Sequence, residues 1–126
     1  MSIPVTVLYG ALYVLTTYFL AVYVSLYRLR HRVMLGEPVP DDLQRSIRAH
    51  GNSAEWLAVV VLSLFFVEIQ GGSSRALHVF GGGLVAARVL HAAFMLTRSR
   101  LTTISATLTY LLVGPLCLWS LYVRLQ

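Results

Sequence analysis

Arg48, Asn52 and Glu55 stand at i, i+4 and i+7 of one stretch of the chain. At about 100° per residue in a helix, the three fall within an arc of roughly 60°, and Arg45 extends the stripe by one turn. A guanidinium, an amide and a carboxylate on one face suit a small zwitterionic or anionic ligand. Guanidinium groups grip carboxylates with paired N–H donors, the amide both donates and accepts, and the carboxylate takes an ammonium or orients an arginine. Arg88 and His91, at i and i+3 with Met95 at i+7, mark one face of a later stretch. Two such stripes on neighbouring helices predict a shared polar pocket. The same spacing also allows a plain alternative, in which Arg48–Glu55 or Arg88–Glu55 is a buried ion pair that fixes packing. His50 points to the other side of its helix, while Glu68 and His78 are expected to be solvated near the far interface. Nothing supports a metal site or a nucleophilic triad: the four histidines are dispersed, Cys117 is alone, and no His-x-x-x-His pair occurs.

The elements that must carry these residues are those of a bilayer. Of 126 residues, 57% are apolar and 12% charged, with a mean hydropathy of +0.72, against about 45–50% and 25% in ordinary soluble domains. That excludes a disordered chain, and a small soluble domain has too much surface to hide so many apolar side chains. The ten basic residues are all arginine, against five acids, for a formal charge of +5. They sit beside apolar stretches and form no continuous basic run, so no nucleic-acid partner is expected. Ile3 to Tyr27 is uncharged over 25 residues, enough to cross a roughly 30 Å hydrocarbon core as a helix. Leu101 to Val123 is a second uncharged run, with a bend expected at Gly114-Pro115. Ser53 to Ile69 carries Glu55 and Glu68; Ala76 to Leu96 carries His78, Arg88 and His91. A charge at mid-membrane costs at least about 2.5–3.5 kcal/mol, so these side chains should face protein or water.

The reading is an all-α integral membrane protein, one four-transmembrane-helix bundle over residues 1–126, with no cleavable signal peptide because the first run is too long and lacks a basic leader. Its longest connection, Arg28 to about Asp42, contains Gly36, Pro38 and Pro40 and should be irregular. Asp41 or Asp42 is the expected N-cap of a second helix running from Leu43 to Ile69. The first and third connections hold Arg28, Arg30, Arg32, Arg45, Arg48, Arg98 and Arg100, the other side only Arg75 and Arg124. The positive-inside rule therefore puts both termini outside the cytoplasm. As a group, Arg28, Arg30 and Arg32 are expected to attract lipid headgroups. Gly81-Gly-Gly83, with Ala86 and Ala87, should let helices approach closely, and the tyrosines of the first helix are read as lipid-facing or packing residues.

The run Leu43-Gln-Arg-Ser-Ile-Arg-Ala-His-Gly-Asn-Ser-Ala-Glu-Trp56 resembles the signature of the MAPEG family, the membrane-associated proteins in eicosanoid and glutathione metabolism. Its pattern of arginine, asparagine four residues on and glutamate three further is met by Arg48, Asn52 and Glu55. Ala87-Arg-Val-Leu-His91 is similar to the family's third-helix motif, and Ile104-Ser-Ala-Thr to the start of its fourth helix. The likeness covers nearly the whole chain and is greatest to the short bacterial members. It implies a homotrimer in the bacterial inner membrane, with glutathione as co-substrate between neighbouring subunits near the cytoplasmic side. Carried over by position, Arg48, Asn52 and Glu55 would hold the glutathione backbone and Arg28 would reach a carboxylate. Arg88 and His91 would line the same cleft, and His50 fills a position that is also polar in several relatives.

The departures bear on catalysis. Many relatives carry a tyrosine where this chain has Met95, and the eicosanoid-forming enzymes carry a thiolate-stabilising arginine at the position of Ile104. Arg98, Arg100 and Ser105 are then the candidate catalytic donors, since a thiolate needs a cation or strong donors to form near neutrality. The expected function is a glutathione transferase or peroxidase-like enzyme acting on a lipophilic small molecule that arrives from the bilayer. The alternative is a non-catalytic lipid-binding or scaffolding member. A small transporter is a third reading, against which the compact placement of the polar residues argues.

Overall fold

In hydrocarbon, a chain can satisfy its backbone N–H and C=O groups within one segment only as a helix. The computed structural model describes residues 4–34 and 36–125; Ile3 and the side chain of Arg124, both invoked above, lie outside that description. Four helices result: α1 (Val5–His31), α2 (Asp41–Ile69), α3 (Ser74–Leu96) and α4 (Thr102–Leu125). Each is long and apolar enough to cross a membrane, and at 1.5 Å per residue the 29-residue α2 spans about 43 Å. Among the described residues there is no strand.

Successive helices pack side by side, α1 also touches α3, and α2 also touches α4, whereas α1 and α4 do not meet. The pair α2 and α3 is thus the centre of the bundle. One core joins Tyr13, Val60, Leu64, Leu77, Leu84, Val113 and Leu116; a smaller one, Leu20, Ala49 and Ala92, lies toward the arginine-rich end, with Met95 and Leu96 packed on it. Two buried hydroxyls are satisfied on their own helices: Ser46 donates to the Asp42 carbonyl at 2.8 Å and Thr109 to that of Ser105 at 3.1 Å. Such small side chains let helices approach in a medium where apolar burial gives little driving force. Gly81 makes the closest approach, although what it admits is a side chain rather than a backbone. A Cβ at that position would stand 2.3 Å from Cδ2 of Tyr9.

Three local features bear on the sequence reading, and the first and last depart from it. Neither aspartate caps α2: Pro40 occupies the N-cap, and its carbonyl accepts the Gln44 N–H at 2.9 Å. Asp42 instead takes the Tyr27 hydroxyl at 2.8 Å and the N–H of Leu43 at 2.9 Å, while both acids still favour the positive end of the helix. α4 continues through Pro115, where only the bond to the Leu111 carbonyl is forgone. Glu68 is no idle solvated acid. Its two carboxylate oxygens accept the N–H groups of Val5 at 2.5 Å and Thr6 at 2.9 Å, so the end of α2 caps the start of α1. Glu68→Ala is expected to lower stability by roughly 1–2 kcal/mol, the worth of a charged cap. Glu68→Gln, which keeps one acceptor, should cost less; chemical unfolding in detergent measures both.

Candidate functional site

The site is built around Arg88, which α3 carries into the bundle with only 2% of its surface exposed. Its Nε donates to the Tyr13 hydroxyl of α1 at 3.0 Å. Its Nη2 donates to both the backbone carbonyl (3.1 Å) and the side-chain oxygen of Asn52 on α2. The guanidinium carbon also lies 5.4 Å from the centre of the Trp56 ring, within cation–π range. Tyr13 passes its own proton to the Ser53 carbonyl at 2.9 Å, and Thr17 and Ser53 share a hydroxyl contact at 2.8 Å. One arginine therefore ties three helices together.

No carboxylate offsets that charge. Among the described residues the one ion pair is Arg98–Asp41, 2.5 Å apart and highly exposed. The alternative of a buried Arg48–Glu55 or Arg88–Glu55 pair is not what the structure contains, because Arg48 and Glu55 lie on the outward face of α2 and are both exposed. Asn52, between them, turns inward enough to reach Arg88. The two stripes thus meet at Asn52 alone within one chain. Nε and Nη2 of Arg88 carry the hydrogen bonds, and the guanidinium has no ion pair among the described residues.

His91 turns the other way, toward α4. Its Nδ1 lies 3.2 Å from both the Thr102 carbonyl and the Ser105 hydroxyl. A carbonyl only accepts, and Ser105 already donates to Thr102 at 2.9 Å; the proton therefore sits on Nδ1 and the lone pair on Nε2. Of the three candidate thiolate donors, Ser105 is buried in this contact, Arg98 is engaged by Asp41, and Arg100 is exposed without an ion pair. Ile104 is 57% exposed. His50 is half-buried with its Nδ1 sealed and unpartnered. Arg45 stitches α2 to the end of α3 through the Leu96 carbonyl at 3.3 Å. Arg28 lies at the far end of α1, lining a separate cavity.

Tyr13, Trp56, Thr17 and Ser53 were not singled out as site residues. A signal for the first was present: Thr6, Gly10, Tyr13 and Thr17 recur at spacings of four, three and four along α1, a small-and-polar stripe that marks a helix face packed on protein.

The chain resembles known proteins along most of its length. Two curated relatives, both "Inner membrane protein YecN", one from Escherichia coli strain K12 and one from Escherichia coli O6:H1 strain CFT073, are each 33% identical over 64 residues. The match covers 51% of this chain and 49% of each relative, so the chain spans about half the length of the curated relatives it matches. The profile of the MAPEG family matches residues 6–122, a stretch that takes in α2, α3, nearly all of α1 and α4, and every residue of the Arg88 network. The chain belongs to the MAPEG family.

Proposed function

We propose that the chain is a multi-pass inner-membrane protein, its termini outside the cytoplasm, that assembles as a homotrimer and binds glutathione between neighbouring subunits. The observation that carries this reading is the buried Arg88 guanidinium, held by neutral partners and with no ion pair among the described residues. Burying an unpaired cation is costly, and an anionic ligand relieves that cost. Glutathione offers two carboxylates and an ammonium, a set complementary to Arg88, Arg48 and Glu55. An exposed carboxylate within a membrane-spanning helix must in turn face protein or water, and a neighbouring subunit laid over the α2 face would supply that cover. Asn52 and His91 would line the cleft, and His50 and Arg28 would add polar contacts near its arginine-rich end.

The chemistry that follows is attack of the glutathione sulfur on a lipophilic electrophile entering from the bilayer. The S–C bond forms as the leaving group departs with its electron pair, and the thiol proton passes to solvent. Arg100 is the donor left to stabilise the thiolate, with Arg98 held by Asp41 and the Ser105 hydroxyl given to Thr102. One observation favours the second reading, a binding member without catalysis: an apolar, exposed Ile104 stands where a cation would be most useful.

Titration calorimetry with reduced glutathione on the detergent-solubilised protein tests the binding. Arg48→Ala and Glu55→Ala are each expected to weaken it tenfold or more, the worth of one charge-assisted hydrogen bond, with the oligomer mass unchanged. Wild-type protein that takes up no glutathione would sink the reading. An aromatic halide conjugation assay and the ultraviolet thiolate band then separate the enzyme from the silent binder.

A further inference from the structure

At the end of α1 the chain turns back and forms a crook. Arg28, Leu29, Arg32, Val33 and Met34 line a cavity of about 550 Å³ there. Arg28 and Arg32 are one helical turn apart, and Nη1 of Arg28 is sealed from the surface without an acceptor. Leu29 and Met34, by contrast, are 76% and 67% exposed. Arg32 itself holds the left-handed C-cap of α1 at φ 53°, a place that glycine fills without a Cβ penalty.

None of the nearby acids pairs with these arginines, although Glu37 stands at the cavity's rim. Glu37 accepts the N–H of Met34 at 2.8 Å, Asp42 takes Tyr27 and Leu43, and Asp41 pairs with Arg98. No ion pair among the described residues reaches Arg28, Arg30 or Arg32. Two guanidinium groups with no ion pair among the described residues ask for an oxygen anion. Large apolar side chains exposed beside them ask for hydrocarbon.

We propose that this crook seats an anionic phospholipid, Arg28 and Arg32 holding its phosphodiester while Leu29 and Met34 meet the acyl chains. Free phosphate shares the anion chemistry but has nothing to cover the leucine and methionine. None of the residues lining the cavity belongs to α2, and the proposal does not rest on the glutathione reading. Arg28 is common to both, whereas Arg32 belongs to the lipid site alone.

The test titrates purified protein in a non-ionic detergent with short-chain phosphatidylglycerol, short-chain phosphatidylcholine or inorganic phosphate. Native mass spectrometry counts adducts and the thermal midpoint reports stabilisation. Phosphatidylglycerol is expected to bind and raise the midpoint, with the other two having little effect at the same concentration. Arg32→Gln and Arg32→Gly, the latter suited to the left-handed backbone, should each weaken phosphatidylglycerol about fivefold, near the worth of one arginine at a membrane surface. Arg30→Gln, which removes an equal charge beside the cavity but not from its lining, should weaken it less than twofold. Equal losses in the Arg30 and Arg32 variants would mean diffuse attraction and overturn the site. Equal binding of the two lipids would do the same, and so would stabilisation by phosphate matching that by the lipid. Midpoints without lipid verify that each variant is folded.

Discussion

Arg88→Ala is expected to destabilise the bundle by roughly 2–4 kcal/mol. The change removes donors from the Tyr13 hydroxyl, the Asn52 carbonyl and the Asn52 amide oxygen together, and it leaves a void beside Trp56. In membranes such bonds are individually modest, averaging about 0.6 kcal/mol in one well-measured case. The charge on the donor and the shared dependence of three helices on one side chain raise the figure here. Arg88→Lys should recover part of the loss, because an ammonium keeps the charge but lacks the planar fork that spans Tyr13 and Asn52. Tyr13→Phe alone should cost about 1 kcal/mol and almost nothing in the Arg88→Ala background. Unfolding of the purified protein by a denaturing detergent, followed by circular dichroism, gives all four values. Additive losses for the Tyr13 and Arg88 changes would show that the network does not act as a unit.

Gly81→Ala should cost about 1–3 kcal/mol, the usual penalty for an extra carbon in a filled space. The added methyl would meet Cδ2, Cγ and Cε2 of Tyr9 at 2.3, 2.6 and 2.8 Å, contacts at the base and flank of the ring that no rotation of a flexible tip relieves. Tyr9 would have to swing away, giving up its 3.1 Å hydroxyl contact with Nδ1 of His78. A smaller partner provides the check: Tyr9→Ala combined with Gly81→Ala should be more stable than the sum of the single losses allows. Gly51→Ala, with open space around the new methyl, is the control and should leave stability unchanged or slightly improved by the better helix propensity of alanine.

The helices were legible in the sequence because their signal is long: four apolar runs joined by short connections leave a membrane chain few choices. Their ends were less so. Asp41 and Asp42 look like caps by residue type, but Pro40 already accepts the first helical hydrogen bond and Tyr27 recruits Asp42 from another element. The faces of α2 were readable from spacing, since angles around a helix follow from position. Which of those faces met a neighbour was not. Arg48, Asn52 and Glu55 fall within one narrow arc, yet Asn52, at its edge, reaches Arg88 while the other two face away. Glu68 hid for a related reason, because its partners are backbone groups 63 and 62 residues earlier in the chain, and backbone donors leave no mark in residue types.

The Arg88 network also bears on how the protein is made. A helix leaving the translocation channel is judged by the free energy of its own side chains, and a central arginine weighs about 2.5–3.5 kcal/mol against entry into lipid. α3 carries that arginine together with His91, while the groups that neutralise its donors sit on α1 and α2, already synthesised when α3 emerges. Partitioning of the third span is therefore expected to depend on the first two waiting beside the channel. A nascent chain truncated to α3 and α4 should insert poorly, and supplying the α1–α2 hairpin as a separate polypeptide should restore it.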